Sequence, residues 1–175
     1  MCIRDRSSTK NNIILDFNYT ASTRLILKQC GLSDEDIDNR LIKVHGEASN
    51  NDIIFGVEDN AGIKKEHVFL RKAYNIKYKA LNFSELYDRI KSVAIFGHSL
   101  GETDHTYFNK LFQESCMYNK FSTNNNKEFW LFYYKENGYH CMMQQLDSLT
   151  HNSLTSFRQY NRVNFINTDK EKVFI

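Results

Sequence analysis

Short apolar runs recur along this chain, and each is followed by a polar turn or by a segment with a helical pattern. Such runs are typical of strands that are buried on both faces of a parallel sheet, and their alternation with helices indicates βαβ units. We therefore predict an α/β fold with a mostly parallel sheet and flanking helices. The runs that we interpret as strands are residues 12–19, 41–45, 53–55, 93–96, 129–134 and 163–166.

The segments between these runs predict helices of different lengths. Thr20 to Ser22 can cap a helix that ends at Gly31, with Leu25, Ile26 and Cys30 on its apolar stripe. Residues 33–39 are acidic and indicate a surface turn or a short helix. Further helical patterns cover residues 66–91, 105–117 and 139–160, the last with a break near residues 151–152.

Composition limits the environment and the partners of the chain. No run approaches the roughly 18–20 apolar residues of a membrane span, and no basic block accompanies the net charge of +2. We expect neither a membrane partner nor a nucleic-acid partner. Cys30, Cys116 and Cys141 lie far apart, so we expect a reduced, cytoplasmic protein in which the three are small core residues.

The first ten residues, MCIRDRSSTK, resemble a translated sequencing-adapter leader more than the start of a domain. We predict that residues 1–10 are a non-native or disordered leader and that residues 11–175 form a single α/β domain. A chain of this length is enough for one domain with its own core.

Polar residues follow three of the predicted strands directly. In an open parallel sheet, ligands bind outside the carboxyl ends of the strands, so these residues are candidates for a binding site. The candidates are Asn18 after the first strand, His45 and Gly46 after the second, and Gly97, His98, Ser99 and Asp104 after the fourth. We expect the three loops to converge on one cavity.

Structural roles remain open for the same residues. Asn18 can be a turn residue or a helix cap, and His45 before a glycine is often structural. Gly46 and Gly97 can simply close tight turns. Asp104 can cap the following helix or orient His98 or His45. His98 and His105, with Asp104 between them, could cluster around a metal ion, but a histidine pair at this spacing with one carboxylate usually lies on the polar surface. We therefore expect no metal.

Four segments together resemble the AbiH family of bacterial abortive-infection proteins, which act in phage defence. The similarity runs from about residue 11 to the end of the chain. The segments are Phe17-Asn18-Tyr19-Thr20, His45-Gly46-Glu47, Ile53-Ile54-Phe55-Gly56 and residues 96–108, FGHSLGETDHTYF.

More remotely, the same pattern is similar to sirtuin-like NAD-binding domains, which implies a Rossmann-like sheet and NAD or a related nucleotide as ligand. On this resemblance Asn18 orients the nicotinamide ribose or a water, and His45 is the base toward a ribose hydroxyl. Gly97 and Ser99 then flank the adenosine side of the dinucleotide. An intact relative is expected to bind or hydrolyse NAD.

Two departures from these families affect the expected activity. The opening strand and glycine loop that cradle phosphates are missing before residue 12, so we expect the C-terminal part of a longer protein. The paired cysteines of the sirtuin zinc module are also missing. Nucleotide hydrolysis, or a non-catalytic sensor of a nucleotide or partner, is therefore expected before protein deacylation. A phage component or a second copy of the chain is also expected as a partner.

Gly97-His98-Ser99-Leu100-Gly101 also matches the G-x-S-x-G nucleophile elbow of serine acyl hydrolases and transferases. In that alternative Ser99 is the nucleophile, and it needs a base held by an orienting group. The later histidines do not follow predicted strands, and the residues after Gly101 are bulky and charged. We therefore keep acyl transfer as the second alternative.

Overall fold

The computed structural model describes residues 12–57, 61–75, 90–117 and 126–170. Its contacts group into two compact units, residues 2–79 and residues 80–175. The prediction of one domain over residues 11–175 stays a prediction. All strand pairs between described residues are parallel, so the mixed α/β class with parallel sheets is confirmed.

The first unit contains a two-stranded parallel sheet with two helices between its strands. Strand β1 (Ile14–Asp16) pairs with β2 (Leu41–Lys43), and the register places Asp16 opposite Lys43. Helix α1 (Ser22–Gln29) ends close to Gly31, as predicted, and the φ of this glycine is 84°, in the left-handed region. Helix α2 (Asp34–Asp38) begins after Ser33, whose Oγ accepts the backbone N–H of Asp36.

The second unit contains a three-stranded parallel sheet in the order β3-β4-β5. Because the order follows the sequence, each helical segment connects neighbouring strands. The strands are β3 (Ser92–Ile95), β4 (Glu128–Tyr133) and β5 (Arg162–Asn167). The helices are α3 (His105–Ser115), α4 (Lys135–Leu149) and α5 (Leu154–Tyr160).

Three phenylalanines from different elements form the centre of this unit. Phe129 of β4 lies 5.6 Å from Phe112 of α3 and 4.8 Å from Phe157 of α5, measured between ring centroids. All three side chains are fully buried. Phe129 of β4 therefore packs in the core, as expected for a buried strand.

The predicted strand over residues 53–55 is wrong. Ile54 donates its backbone N–H to His45 O, and Val57 forms one isolated bridge with Arg71. Because these bonds go to different partners, no continuous ladder forms along the segment.

The predicted helix from residue 66 is wrong in its described part. Residues Lys65–Leu70 and Lys72–Tyr74 form short 3₁₀ helices. Phe69, Leu70 and Tyr74 are exposed, so no buried face stabilises a longer α-helix here. Residues 76–89 lie outside the described part of the chain.

The prediction that the three cysteines are core residues is also wrong for two of them. Cys30 and Cys141 are exposed, and Cys116 is partly buried. In α1 the buried residue is Leu27, whereas Leu25 and Ile26 are exposed. Within the described residues, no helix is long and apolar enough to span a membrane.

Candidate functional site

Two oppositely charged side chains terminate the strands of the first sheet. Asp16 is the last residue of β1, is 4% exposed, and lies opposite Lys43, the last residue of β2. The Nζ of Lys43 donates to Asp16 Oδ2 over 2.8 Å. The carboxyl ends of both strands are therefore held together by an ion pair with little solvent contact.

Lys43 also binds the backbone of the loop that follows β1. Its Nζ donates to the carbonyl oxygens of Asn18 (2.6 Å) and Thr20 (2.7 Å). With the bond to Asp16, all three ammonium protons have an acceptor. Glu47 adds a second carboxylate, with Oε2 at 3.9 Å from Nζ, and Ser49 donates its hydroxyl to the other oxygen of Glu47.

The pKa of Asp16 lies below its ordinary value. Burial of the carboxyl favours the neutral acid, but hydrogen bonds from Lys43, from the backbone N–H of Asn18 and from the side chain of Thr23 outweigh it. The positive charge of Lys43 acts in the same direction. Asp16 therefore stays ionised at neutral pH.

Asn18 is oriented by the same carboxylate. Asp16 Oδ1 accepts the backbone N–H of Asn18 at 3.0 Å and its side-chain Nδ2 at 3.1 Å. The first of these bonds closes an Asx turn directly after β1. Asn18 is exposed to solvent, so its predicted turn role and a ligand-facing position are compatible.

His45 lies in an aromatic environment after β2. It is 5% exposed, its ring centroid is 5.4 Å from that of Phe17, and the ring of Tyr19 stacks on it at 5.8 Å. Tyr19 in turn lies 5.5 Å from Phe55, which is 71% exposed. Asn18 and His45 thus belong to one local cluster, because the two residues that flank Asn18 in sequence pack on His45.

Gly46 has a structural reason that does not involve a ligand. Its φ is 73°, and a Cβ at this position would overlap the carbonyl oxygen of Asp52 and lie 2.7 Å from its carbonyl carbon. Asp52 Oδ1 accepts the backbone N–H of Glu47 at 2.6 Å. The loop after β2 therefore closes tightly on itself, and only glycine fits.

The second unit holds the remaining sequence candidates in the turn after β3. Gly97 has a φ of 66°, and no described atom lies within 4 Å of the position that a Cβ would occupy. Leu100 also has a left-handed backbone, with a φ of 55°, although its side chain is fully buried. Glycine at 97 is thus favoured by the backbone angle, and the space beside it is open.

His98 and Asp104 are brought together within this turn. His98 Nδ1 accepts the backbone N–H of Leu100 at 2.9 Å, so Nδ1 carries no proton. The proton then resides on Nε2, which lies 3.3 Å from Asp104 Oδ2. Asp104 makes no side-chain cap bond to α3. Asp104 therefore lies beside His98, where it can orient this histidine, and it does not act as a side-chain cap of α3.

Sequence reasoning missed three residues of these two regions. Asp16 and Lys43 lie inside the predicted apolar strands, and a single charge inside a short apolar run is a usable signal for them. For His105 the sequence predicts the start of a helix and a weak metal or base candidate, but not a contact to the preceding turn. Its Nε2 lies 3.0 Å from Leu100 O and 2.8 Å from Gln145 Oε1, which ties the turn to α4.

The sequence candidates fall into two groups. Asn18, His45 and Gly46 belong to the first unit, and Gly97, His98, Ser99 and Asp104 belong to the second. Their convergence on one cavity stays a prediction. Among the described residues, no group of three histidine, cysteine or acidic side chains is arranged to hold a metal ion.

Comparisons with known proteins give the family of this chain. A family model described as bacteriophage abortive infection AbiH matches residues 3–134, well over half of the chain. The match includes the ends of β1 and β2 and the turn after β3, and it stops just before α4, short of the expected chain end. No curated protein and no solved structure matches the chain. The chain therefore belongs to the AbiH family of bacteriophage abortive infection proteins.

Proposed function

We propose that this AbiH chain acts in phage defence by binding a nucleotide at the carboxyl ends of β1 and β2, with NAD as the first ligand to test. Ligands of open α/β sheets bind at this edge. Asn18, His45 and Gly46 follow the two strands there, and the strands pair in parallel. The same parallel pairing supports a Rossmann-like, sirtuin-like arrangement as part of the proposal.

The observation that carries the proposal is exposed aromatic surface beside an oriented amide. The rings of Tyr19 and Phe55 lie 5.5 Å apart and both are exposed, while Asn18 directly precedes Tyr19. Bases stack on exposed aromatic rings with about 1–3 kcal/mol per base. The Asn18 amide supplies a polar group for a ribose hydroxyl. A nucleotide can use both features, because its planar base stacks on the rings and its ribose hydroxyl binds the amide.

In the catalytic form of the proposal, the intact protein hydrolyses NAD. Water adds to C1 of the nicotinamide ribose, the bond to the nicotinamide nitrogen breaks, and nicotinamide leaves with the bonding pair. Asn18 orients the ribose or the water, and His45 accepts the proton from a ribose hydroxyl or from the water. Since Phe17 and Tyr19 enclose His45, this role requires the exposed Tyr19 ring to move aside.

Independently of the site at β1 and β2, we propose the turn after β3 as a second element that contacts a nucleotide. The open space at Gly97 leaves the backbone accessible, and Ser99 is exposed. His98 and Asp104 hold the shape of the turn through the bonds to Leu100 and to each other. In a non-catalytic form, the same loops sense a nucleotide, a phage component or a second copy without turnover.

Acyl transfer has less support from the geometry. The nucleophile of an elbow sits in a strained strand-to-helix turn, yet here Leu100 and not Ser99 has the left-handed backbone. Helix α3 begins only at His105, and among the described residues no histidine hydrogen-bonds Ser99. Fluorophosphonate labelling of Ser99 in the full-length protein would restore this alternative.

The test compares NAD binding with NAD consumption in the full-length protein. Calorimetry measures binding, and nicotinamide release measures consumption. We expect Asn18→Ala and Phe55→Ala to weaken binding at least tenfold, and His45→Ala to lose turnover while it retains binding. The matched controls are Asn39→Ala and His67→Ala, which change exposed residues of the same unit.

The outcomes separate the forms of the proposal. Binding without consumption by the wild type favours the sensor. Equal consumption by the wild type, Asn18→Ala and His45→Ala removes the catalytic roles of these residues. No binding by the wild type overturns the nucleotide proposal as a whole.

A further inference from the structure

The ion pair of Asp16 and Lys43 is unusual for its position. Both residues end short strands that are otherwise apolar, and the side chain of Asp16 is 2% exposed. Removal of two charges from water is costly, and a buried ion pair is often no more stabilising than apolar residues of similar volume. The pair therefore calls for an explanation besides stability.

The bonds of Asp16 determine which way the Asn18 amide faces. A carboxylate only accepts hydrogen bonds, so the group at 3.1 Å from Asp16 Oδ1 must be the NH₂ of Asn18 and not its oxygen. The amide oxygen is then directed away from Asp16. Because Oδ1 also accepts the backbone N–H of Asn18, one oxygen holds both the backbone and the side chain of this residue.

Lys43 holds the same loop from the other strand. Its three acceptors are Asp16 Oδ2 and the carbonyl oxygens of Asn18 and Thr20, which point to a single ammonium from different directions. A compact ammonium with three rotatable donors suits this arrangement, whereas the planar fork of arginine does not.

We propose that Asp16 and Lys43 are the positioning pair of the nucleotide site: they fix Asn18 so that its amide oxygen faces the ligand. This inference rests on the proposed function. The pair touches no ligand itself and acts through Asn18. The groups that face Asp16 are Lys43, Asn18 and Thr23, and Glu47 faces Lys43 from the loop after β2.

A double-mutant cycle distinguishes positioning from a structural role. We expect Asp16→Asn and Lys43→Met to lower kcat at least tenfold and to weaken NAD binding at least tenfold, because each loses the effect of an oriented Asn18. In the Asn18→Ala background, Asp16→Asn should lower kcat by less than twofold further, because the residue through which it acts is already gone. Similar losses in both backgrounds would overturn the proposal.

Control variants keep the result interpretable if folding suffers. Arg24→Met breaks the exposed ion pairs with Asp34 and Asp38 in the same unit, and we expect it to leave kcat unchanged. If Asp16→Asn does not fold, Asp16→Glu keeps the charge but displaces the carboxyl group, and it carries the same expected loss. Circular dichroism checks the fold of each variant.

An NMR readout tests the pair even if the wild type neither binds nor consumes NAD. We expect the side-chain NH₂ signals of Asn18 to shift in Asp16→Asn and in Lys43→Met, and to stay unchanged in Arg24→Met. Unshifted signals in the first two variants overturn the positioning of Asn18. Shifted signals without NAD binding leave the pair positioning Asn18 and overturn only the proposed nucleotide function.

Discussion

His98 accepts the backbone N–H of Leu100 through Nδ1 at 2.9 Å. Leu100 combines a fully buried side chain with a left-handed backbone, which costs a non-glycine residue of order 1–3 kcal/mol. The bond supplies an acceptor for the Leu100 N–H, which belongs to no helix or strand. The imidazole therefore stabilises the strained turn directly after β3.

His98→Ala is expected to lower the free energy of unfolding by about 1–3 kcal/mol, because it leaves the Leu100 N–H without its acceptor. Urea denaturation measures the change. His140→Ala is the control: His140 is exposed and lies 3.8 Å from the exposed carboxylate of Glu136, so a change within about 0.5 kcal/mol is expected. Equal effects of the two substitutions would contradict this role of His98.

The lowered pKa of Asp16 predicts a specific loss of stability in acid. The folded-state pKa lies below the unfolded value of about 3.9, so the carboxylate contributes its full stabilisation above that pH. The contribution is lost as the pH falls through the folded-state pKa.

The measurement is the free energy of unfolding of the wild type and of Asp16→Asn between pH 6 and pH 2. The wild type should be the more stable protein at pH 6, and the difference should shrink below about pH 4. Acidic groups far from Asp16 and Lys43 affect both proteins alike and cancel in the difference. A gap that is constant over this range would refute the assignment.

Gly46→Ala should destabilise the chain much more than Gly31→Ala. Both glycines have a positive φ, so each alanine carries about 1–2 kcal/mol of backbone strain. Only at Gly46 does the added Cβ also overlap the backbone of Asp52, which adds about 1–3 kcal/mol. Thermal and chemical denaturation of the two variants compare these costs, and similar losses would argue against the tight loop after β2.

Phe129→Ala should cost about 3–5 kcal/mol of unfolding free energy, because it leaves a cavity between Phe112 and Phe157. Phe96→Ala is the matched control, since Phe96 is half exposed and contacts Phe132 from the surface. About 1 kcal/mol is expected there. Comparable losses in guanidinium denaturation would show that Phe129 is not at the centre of the core.

Local patterns were sufficient for most elements of the fold. The strand near residue 93, the helix from His105 and the paired helices before the last strand lie where the periodicity predicts them. The exceptions share a cause. Residues 53–55 and 65–74 have the composition of a strand and a helix, but among the described residues no neighbour completes a ladder or buries an apolar face.

The candidate site was predictable only in part, and the reason is visible in single residues. Asn18, His45 and Asp104 follow strands, and that position is readable from the sequence. The contacts that hold these residues cannot be read from the sequence in the same way. Asp16 and Lys43, which hold Asn18, are 27 residues apart and meet only through strand register. The burial of His45 likewise depends on rings that fold back from the first loop.

The amino-acid sequence by itself determined the α/β class, the parallel pairing and the membership in the AbiH family, because these follow from short-range periodicity and from motifs in a fixed order. Only the tertiary structure decided that Lys43 clamps the loop of Asn18, that Gly46 is enclosed by Asp52 and that Leu100 is left-handed. These features arise where segments distant in sequence compete for the same space and the same hydrogen bonds, and local pattern does not encode that competition.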